Sequence, residues 1–520
     1  MNARFEARLH AISLAGDEAT LLGGRLGIEK ESLRVTPAGY IATTPHPRAL
    51  GSALTNRFIT TDYSEALLEF VTPPLASSWE GIQFLCDIHQ FAYAAIDDEL
   101  LWPLSMPCMI RSEDDIPLAQ YGSSNIGAMK TIYRRGLGFR YGRYMQAISG
   151  IHFNYSLADA FWPLYKEVER SDTELHEFRS NSYLGLVRNV RRFDWLLLYL
   201  FGASPAVCKS FLSGVETDLE ELDEGTLYGR YATSLRMSEL GYQNTNQAEL
   251  IISANSLDEY VQNLNEAVHR PSPEYQKIGI KVGGQYRQLS ANQLQIENEY
   301  YSTIRPKRVA KSGEHATEAL RRGGVEYVEL RALDVNPFDP VGINQKQVKF
   351  LEAFLIFCLL NDSEPIDQQE QKEINRNRVA VAHQGRKPDL KLIRRGVPVS
   401  LHDWGNEICE QMMALGEILD ALKKQSYTEV IDSHHRMIEN PELTTAAQLV
   451  SEIRETREPM FTYAMNLSRT YREYFHALAP EFNTNWKMLE AESRDSIKRQ
   501  VAVEASDAIE FDEYLERYLS

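Results

Sequence analysis

The 520-residue sequence predicts an α+β protein whose C-terminal third is mostly helical. Three observations lead to this class. Residues 26–35 and 149–157 alternate in character, which is typical of strands that place successive side chains on opposite faces. Residues 78–99 space their apolar side chains for one buried helix face. The last third of the chain is dominated by the pattern of amphipathic helices.

The first 360 residues contain further strands and helices in order. Strand-like alternation recurs in the second half of residues 58–72 and in residues 325–333. Helical spacing is predicted for residues 1–22, 78–99, 173–215 and 343–360.

A change of composition divides the chain after residue 360. Residues 361–378 are polar and charged, and most of the chain from there to residue 520 is amphipathic. We therefore place a soft boundary near 361–380, between a main part at 1–360 and a mostly helical region at 361–520 that packs on it and supports it.

The overall charge excludes several classes of protein. With 73 acidic and 55 basic side chains the formal charge is −18, which argues against a nucleic-acid-binding surface. The N-terminal residues lack the continuous apolar segment and small-residue cleavage site of a signal peptide. The longest apolar runs, at 195–201 and 354–360, are far short of a membrane span. We expect a protein that binds neither nucleic acid nor membrane and resides in the cytoplasm.

The cysteine pattern supports that location. The chain has five widely spaced cysteines and no C-x-x-C pair, so we predict neither a disulfide framework nor a zinc site. Most of them lie among apolar residues and are expected to be buried thiols. They are Cys86, Cys108, Cys208, Cys358 and Cys409.

The strand at residues 26–35 carries an unusual pair of acids. Glu29 and Glu31 share a face with Leu33 and Val35, and side chains two apart on a strand are about 7 Å from each other. Two buried carboxylates at that distance would repel each other and lose hydration, so at least one would protonate unless a cation were shared. The alternative is a solvated edge strand with two ordinary surface glutamates, and both interpretations stay open on this segment alone.

The same anomaly recurs on other predicted strands. Glu69 shares a face with Leu67 and Val71, and His152 belongs to a polar row opposite an apolar one. A lone strand histidine is more often a satisfied surface or core residue than a ligand. Glu329 and Arg331 also lie on an apolar face, for which the alternative is a structural salt bridge.

The basic residues at 304–308 form a short charge cluster. A cluster of this size usually lies in a solvated loop, and we predict a loop here.

Most of the anomalous residues are oxygen donors. Such a set suits Mg²⁺ or Mn²⁺ better than zinc, and more than one ion could be held. The sequence has no phosphate-binding G-x-x-x-x-G-K-[ST] loop and no strand–G-x-G-x-x-G–helix. We therefore expect a nucleotide to be bound through metals and a sheet surface, with Arg331 neutralising charge on a transferred phosphoryl group. The candidate ligands are Glu29, Glu31, Asp62, Glu69, His152 and Glu329.

Several segments together resemble the bacterial glutamate–cysteine ligase (γ-glutamylcysteine synthetase) family, type 1. The match runs in order from about residue 22 to about residue 360. The segments that carry it are residues 28–35, 59–70, 102–107 (Trp-Pro-Leu-Ser-Met-Pro), 149–154 (Ser-Gly-Ile-His-Phe-Asn), 201–205 and 325–337.

This resemblance implies a glutamine synthetase-like catalytic fold, in which helices back an antiparallel sheet whose concave face holds the metals. It implies an ATP-dependent reaction that joins the γ-carboxyl of L-glutamate to the amine of L-cysteine through γ-glutamyl phosphate. The product is γ-glutamylcysteine, in the first step of glutathione synthesis, and feedback inhibition by glutathione is expected. Mg²⁺ is the implied metal, with Mn²⁺ as a substitute, and the six candidate ligands match those of the family.

The resemblance also implies roles for other residues. Arg331 and Glu329 match catalytic positions, with Arg331 facing the transferred phosphate. Residues matching the substrate pocket are Tyr63, Tyr133, Tyr242, Tyr301 and Arg236 for cysteine, with Gln146 and Asn154 for glutamate.

Two other functions fit parts of this pattern. A different carboxylate–amine ligase, or a guanidino kinase on the same fold, would keep the metals and Arg331 but change the acceptor pocket. A nucleotide sensor or scaffold would bind nucleotide without metal. We further predict a monomer, because no predicted helix shows a broad unpaired apolar stripe.

Overall fold

The computed structural model describes residues 3–14, 21, 23–241, 247, 250–311, 313–423, 425–479 and 483–519. Within these ranges the strands and helices follow one another as the α+β class predicts. The strands are β1 (Arg25–Val35), β2 (Ile59–Thr61), β3 (Leu67–Val71), β4 (Leu100–Leu101), β5 (Gly150–Ser156), β6 (Ala206–Cys208), β7 (Glu220–Asp223), β8 (Thr226–Tyr228), β9 (Lys281–Val282), β10 (Gln285–Tyr286), β11 (Ile304–Lys307), β12 (Tyr327–Asp334), β13 (Lys391–Arg394) and β14 (Val397–Ser400).

Helices make up most of the rest of the described residues. They are α1 (Ala3–Leu14), α2 (Ser78–Tyr93), α3 (Asn125–Tyr141), α4 (Phe161–Val168), α5 (Leu175–Phe201), α6 (Leu257–His269), α7 (Pro273–Ile278), α8 (Ala316–Gly323), α9 (Gln345–Leu360), α10 (Gln368–Gln384), α11 (Leu401–Lys423), α12 (Tyr427–Glu439), α13 (Thr445–Thr456), α14 (Met460–Ala477), α15 (Trp486–Ser506) and α16 (Phe511–Leu519). None of the helices in the described ranges has the length and apolar character needed to cross a bilayer.

A seven-stranded antiparallel sheet organises the first part of the molecule. Its strand order is β11-β12-β5-β1-β3-β2, and the short strand β4 pairs with the end of β1. The predicted antiparallel sheet is therefore confirmed, and β1 lies near its middle. The sequence pattern alone does not specify the register in which each strand of this sheet pairs with its neighbour.

The two faces of β1 have different environments. Leu26 and Ile28 lie on the face that packs into the main apolar core with α2, α5 and α9. Lys30 is on that same face and is 3% exposed, and its Nζ lies 2.8 Å from both Ser32 Oγ and His89 Nε2. Because residues alternate along a strand, the opposite face carries Glu29 and its same-side neighbours. The helices thus cover one side of the sheet and leave the acidic side facing a cavity.

The C-terminal third is mostly helical, as predicted, and it packs on the sheet's helical layer. Tyr427 of α12 donates to Glu352 of α9 over 2.6 Å in a buried contact. Arg57, in the segment before β2, forms an ion pair of 2.7 Å with Glu492 of α15. These contacts hold the helical region against the main part. The division at residue 360 stays a prediction.

One expectation about the cysteines is wrong. Cys108 and Cys208 form a disulfide between the segment after β4 and the end of β6, with a Cα–Cα distance of 5.4 Å. Their separation of 100 residues along the chain explains why spacing gave no signal. Both cysteines are buried, as expected, and Cys358 and Cys409 are buried free thiols.

A buried histidine in the helical region predicts how stability depends on pH. His434 of α12 lies between the rings of Phe201 and Phe350, and its Nδ1 is 2.7 Å from the Val430 carbonyl oxygen. Burial lowers the pKa of His434 from 6.5 to about 4. Between pH 4 and pH 6.5 the His434 imidazole binds a proton in the unfolded chain but not in the folded protein. The free energy of unfolding is therefore fully maintained above pH 6.5 and falls as the pH is lowered towards 4.

We therefore expect His434→Gln to flatten the dependence of unfolding free energy on pH in that window. One proton corresponds to a slope of about 1.4 kcal/mol per pH unit. Urea unfolding between pH 4 and 7 measures the slope. His402→Gln, at a half-exposed histidine, is the matched control, and an equal slope in the wild type and His434→Gln would contradict the assignment.

Candidate active site

The register of the central sheet gathers the predicted ligands on one face. Glu29 of β1 lies opposite His152 of β5, and Glu31 lies opposite Glu69 of β3. The pairing of β12 with β5 brings Glu329 to the same side. These five residues come from four strands and are separated by up to 300 positions in the chain.

The imidazole of His152 is the centre of this acid cluster. Its Nδ1 lies 2.9 Å from Glu29 Oε2 and 3.7 Å from Glu329 Oε1. Its Nε2 lies 3.8 Å from Glu31 Oε1. One ligand atom each from Glu29, His152 and Glu329 lies within 4.8 Å of the others, a separation that one metal ion could bridge.

Burial and mutual repulsion shift two of the acids upward. Burial raises the pKa of Glu69 well above its usual value, and the charges of Glu29 and Asp62 raise it further. Burial also raises the pKa of Glu31. Without a cation the cluster therefore favours protons on these two groups, as the distance argument from the sequence predicts.

The other two acids are held in the ionised form. Burial acts to raise the pKa of Glu329, but Lys307 and Arg331 outweigh it, so the pKa lies well below the usual value. For Glu29, burial is likewise outweighed, here by the hydrogen bond to His152, and its pKa is lowered. The cluster therefore contains two carboxylates with lowered pKa values, Glu29 and Glu329, next to two with raised pKa values.

The donor set fits a hard divalent cation. Glu329 is 2% exposed, and its Oε2 atom accepts no hydrogen bond from the described part of the chain, although the Lys307 ammonium lies 3.3 Å away. A buried carboxylate oxygen in that state has lone pairs available to a metal. Four carboxylates with one imidazole favour Mg²⁺ or Mn²⁺ over zinc, whose structural sites are rich in Cys and His.

Basic side chains line one border of the acid cluster. Arg331 Nη1 lies 2.9 Å from Glu329 Oε1, and Lys307 Nζ lies 3.3 Å from Glu329 Oε2. Arg305, also of β11, is buried opposite Glu329 in the ladder. The prediction of a solvated loop at 304–308 is therefore wrong, because Glu329 of β12 and Glu326 just before it compensate these charges and allow the segment to pair as a strand.

Asp62 lies at the sheet edge, just after β2. Its side chain is 36% exposed and its Oδ1 is 4.0 Å from Arg134 Nη2. The backbone oxygen of Asp62 accepts a hydrogen bond from Arg134 Nε. Its charge raises the pKa of both Glu31 and Glu69, which places it within electrostatic reach of the cluster.

A cavity of about 250 Å³ opens beside the cluster. Four of the sequence-predicted residues line it: His152, Arg236, Tyr301 and Arg331. Residues that the sequence analysis did not select complete the wall, among them Arg191, Gln247, Thr303, Gln371, Asn375 and Arg378. The last three come from α10, beyond residue 360, and no local motif marks them.

Two further predicted residues are joined to this wall by hydrogen bonds. Gln146 Nε2 donates to the Tyr301 hydroxyl over 3.1 Å. Asn154 Nδ2 donates to Glu29 Oε1 over 2.9 Å. Asn154 therefore orients a candidate metal ligand, and Gln146 orients a ring of the cavity.

The remaining predicted tyrosines differ in their positions. Tyr63 is 1% exposed in an apolar cluster, and burial raises its pKa to about 12. Tyr133 of α3 lies near Tyr301, and its pKa is raised by burial and by the charge of Glu299. Tyr242 lies outside the described residues.

Arg236 is held tightly at the base of the cavity. It is 2% exposed, and its Nη1 lies 3.6 Å from Asp334 Oδ1 and 3.1 Å from Met237 Sδ. Its Nη2 donates to the Arg331 carbonyl oxygen over 3.2 Å. A Cβ atom at Gly150 would collide with this guanidinium, so the glycine allows Arg236 to pass close to β5.

Comparison with known proteins gives consistent matches. Residues 9–381 match the family model described as glutamate–cysteine ligase. A glutamate–cysteine ligase of Alcanivorax borkumensis is 49% identical over 519 residues, 99% of each chain. One of Pseudomonas putida is 47% identical over 98% of this chain and 97% of its own. The crystal structure of a Francisella tularensis glutamate–cysteine ligase in complex with AMP superposes with a TM-score of 0.90 at 36% identity, covering 96% of this chain and 98% of that one.

Proposed function

This chain belongs to the glutamate–cysteine ligase family, and we propose that the acid cluster around His152 is the centre at which the family reaction takes place. The protein is an ATP-dependent ligase. It joins the γ-carboxyl group of L-glutamate to the amine of L-cysteine and forms γ-glutamylcysteine, ADP and phosphate. The observation that supports the assignment of the centre is the convergence of four carboxylates, two buried and two partly buried, and one imidazole next to Arg331 and a cavity.

We propose that the cluster holds Mg²⁺, with Mn²⁺ as a substitute, and that it holds more than one ion. The proposed ligands are Glu29, Glu31, Asp62, Glu69, His152 and Glu329. Ions bound there would neutralise the phosphate charges of ATP. Asn154 and Lys307, which contact Glu29 and Glu329, would keep these carboxylates oriented whether or not the ions are bound.

Arg331 is the proposed catalytic residue for phosphoryl transfer. Its guanidinium is anchored by Glu329, and its side chain is 24% exposed towards the cavity. A fixed cation at that position stabilises the charge that develops when the γ-carboxylate of glutamate attacks the terminal phosphate of ATP. The cysteine amine then attacks the resulting γ-glutamyl phosphate and expels phosphate.

The cavity beside Arg331 is the proposed amino-acid site. Tyr301 and Arg236 line it, and we propose that Tyr63, Tyr133 and Tyr242 contribute to the cysteine side. Gln146, which donates to Tyr301, and Asn154, which donates to Glu29, are proposed to contact glutamate. Holding both substrates in line would supply much of the rate, since oriented intramolecular reactions gain roughly 7–11 kcal/mol.

We also propose that the enzyme acts as a monomer in the cytoplasm and that glutathione inhibits it. Glutathione contains the γ-glutamylcysteine product, so it would compete for the same cavity.

The metal requirement tests this proposal. We expect EDTA-treated protein with ATP, glutamate and cysteine to release no phosphate above background, and added Mg²⁺ or Mn²⁺ to restore release and γ-glutamylcysteine together. Mg²⁺ should also raise the melting temperature, because an ion that binds only the folded state stabilises it by about 2.7 kcal/mol at 100 times its Kd. Full activity in EDTA would contradict the metal assignment. Turnover that needs another amine instead of cysteine would contradict the acceptor.

A further inference from the structure

A second basic group lines the cavity away from the acid cluster. It consists of Arg191 of α5 and Arg378 of α10, with Asp194 of α5 behind them. The proposed function uses neither arginine. Arg191 is buried and Arg378 is partly buried, and a guanidinium that faces a cavity with unused donors favours an anion there.

Arg378 is held rigidly by one carboxylate. Its Nε and Nη2 donate to Asp194 Oδ2 over 2.9 and 2.6 Å. The Thr303 hydroxyl donates to the same oxygen over 2.9 Å, and the Thr303 carbonyl oxygen accepts from the Arg331 backbone. Asp194 is 1% exposed, so this anchor is fixed within the core. The arrangement ties Arg378 to the strand that carries Arg331.

Arg191 has unused donor capacity next to this pair. It is 5% exposed and its Nη1 donates to the Ile252 carbonyl oxygen over 2.9 Å. Its Nη2 is buried and has no hydrogen-bond partner among the described residues. An unsatisfied guanidinium nitrogen is costly, and an anionic ligand in the cavity would satisfy it.

Two amides of α10 stand beside these arginines. Gln371 Nε2 donates to Asn375 Oδ1 over 3.1 Å, and both residues line the cavity. This bond leaves the Gln371 carbonyl oxygen as an acceptor and the Asn375 nitrogen as a donor on the same wall. An acceptor next to two cations suits a ligand that carries an ammonium group beside an anion.

We propose that Arg191 and Arg378 form a subsite for the α-carboxylate of an amino-acid substrate. A guanidinium donates strong, charge-assisted hydrogen bonds to a carboxylate, and Arg191 Nη2 is available for such a bond beside the fixed charge of Arg378. Two amino-acid substrates bring two α-carboxylates into the site, and Arg236, which lines the same cavity, can receive only one of them, so a second receptor is needed. The cavity of about 250 Å³ suits small amino acids better than a nucleotide. The inference rests on the proposed function, since it assigns a subsite of the same cavity.

Glutamate and cysteine both carry an α-carboxylate, and analogues that lack this group show which of the two substrates binds at the subsite. We expect Arg378→Gln to raise KM for one amino acid by about 10- to 100-fold, the effect of losing a charged hydrogen bond, with a smaller change in kcat. If the subsite holds the cysteine carboxylate, the preference for cysteine over cysteamine falls by the same factor. If it holds the glutamate carboxylate, the preference for glutamate over 4-aminobutyrate falls instead.

Asp194 is a positioning residue in this scheme, and Asp194→Asn tests that role. It should shift the same KM in the same direction as Arg378→Gln, while Arg378→Lys should recover part of the loss. Arg376→Gln, on the exposed face of α10, is the matched control and should leave every KM unchanged.

Two results would overturn the subsite: unchanged KM values in Arg378→Gln, or equal losses for each substrate and its decarboxylated analogue. The second result would indicate a structural role alone. Failure of the wild-type protein to form γ-glutamylcysteine would instead contradict the proposed function, so the two failures are distinguishable.

Discussion

Replacing Glu329 by glutamine is expected to lower kcat for γ-glutamylcysteine formation by about 10³-fold or more. Two effects combine. The substitution removes a buried carboxylate from the proposed metal site, and it removes the charge that anchors Arg331 at 2.9 Å. Glutamine keeps the shape of the side chain, so the sheet should remain folded. The reaction is followed as cysteine-dependent phosphate release with product detected by mass spectrometry.

The control for this substitution is Glu326→Gln, one residue before β12. Glu326 is partly exposed and lies 3.6 Å from Arg308, away from the cluster. An exposed pair of this kind contributes about 0–1 kcal/mol, so activity should stay near that of the wild type. Melting temperatures of both variants check the fold. Wild-type activity in a folded Glu329→Gln protein would contradict the site.

Replacing Arg331 by glutamine is expected to lower kcat/KM by about 10²- to 10³-fold. The reason is that a preorganised cation, next to Glu329 and the cavity, is lost from the position where we propose that phosphoryl charge develops. Arg331→Lys keeps a charge but loses the planar guanidinium that meets Glu329, so we expect only partial activity. Steady-state kinetics with each substrate varied in turn separates the loss in kcat from the loss in KM.

Arg322→Gln serves as the arginine control, since Arg322 forms an ion pair of 2.7 Å with Glu314 on the exposed side of α8. It should behave as the wild type. A change in KM alone for Arg331→Gln, with kcat intact, would mean that Arg331 binds a substrate without acting in phosphoryl transfer.

The sequence predicted the acidic face because the anomaly is local. Glu29 and Glu329 each occupy a position that the alternation of a strand assigns to its apolar face. An acid at such a position indicates a strand that points a carboxylate into a site shielded from solvent. The recurrence of this anomaly on several strands grouped them, with His152, into one candidate ligand set, which the resemblance to a family then matched. The structure brings the His152 imidazole to within 2.9 Å of Glu29.

The features that sequence reasoning missed depend on contacts between distant segments. The basic residues at 304–308 have the composition of a solvated loop, because the acids that compensate them belong to the segment at β12, with which β11 pairs only in the folded protein. Arg191 and Arg378 lie 187 positions apart on two ordinary helices, and only their packing brings them to one cavity. The disulfide between Cys108 and Cys208 likewise forms because the fold brings two distant segments together. In each case the local sequence pattern is typical of a surface or core residue without a functional role.

We propose that glutamate is activated at the acid cluster and Arg331 by phosphorylation of its γ-carboxylate, and transfer of an isotope from glutamate to phosphate detects this step. Glutamate labelled with ¹⁸O in the γ-carboxylate is turned over with ATP, Mg²⁺ and cysteine, and the released phosphate is analysed by mass spectrometry. If γ-glutamyl phosphate forms, one labelled oxygen passes into phosphate at each turnover. Unlabelled phosphate accompanying labelled γ-glutamylcysteine would show that γ-glutamyl phosphate does not form.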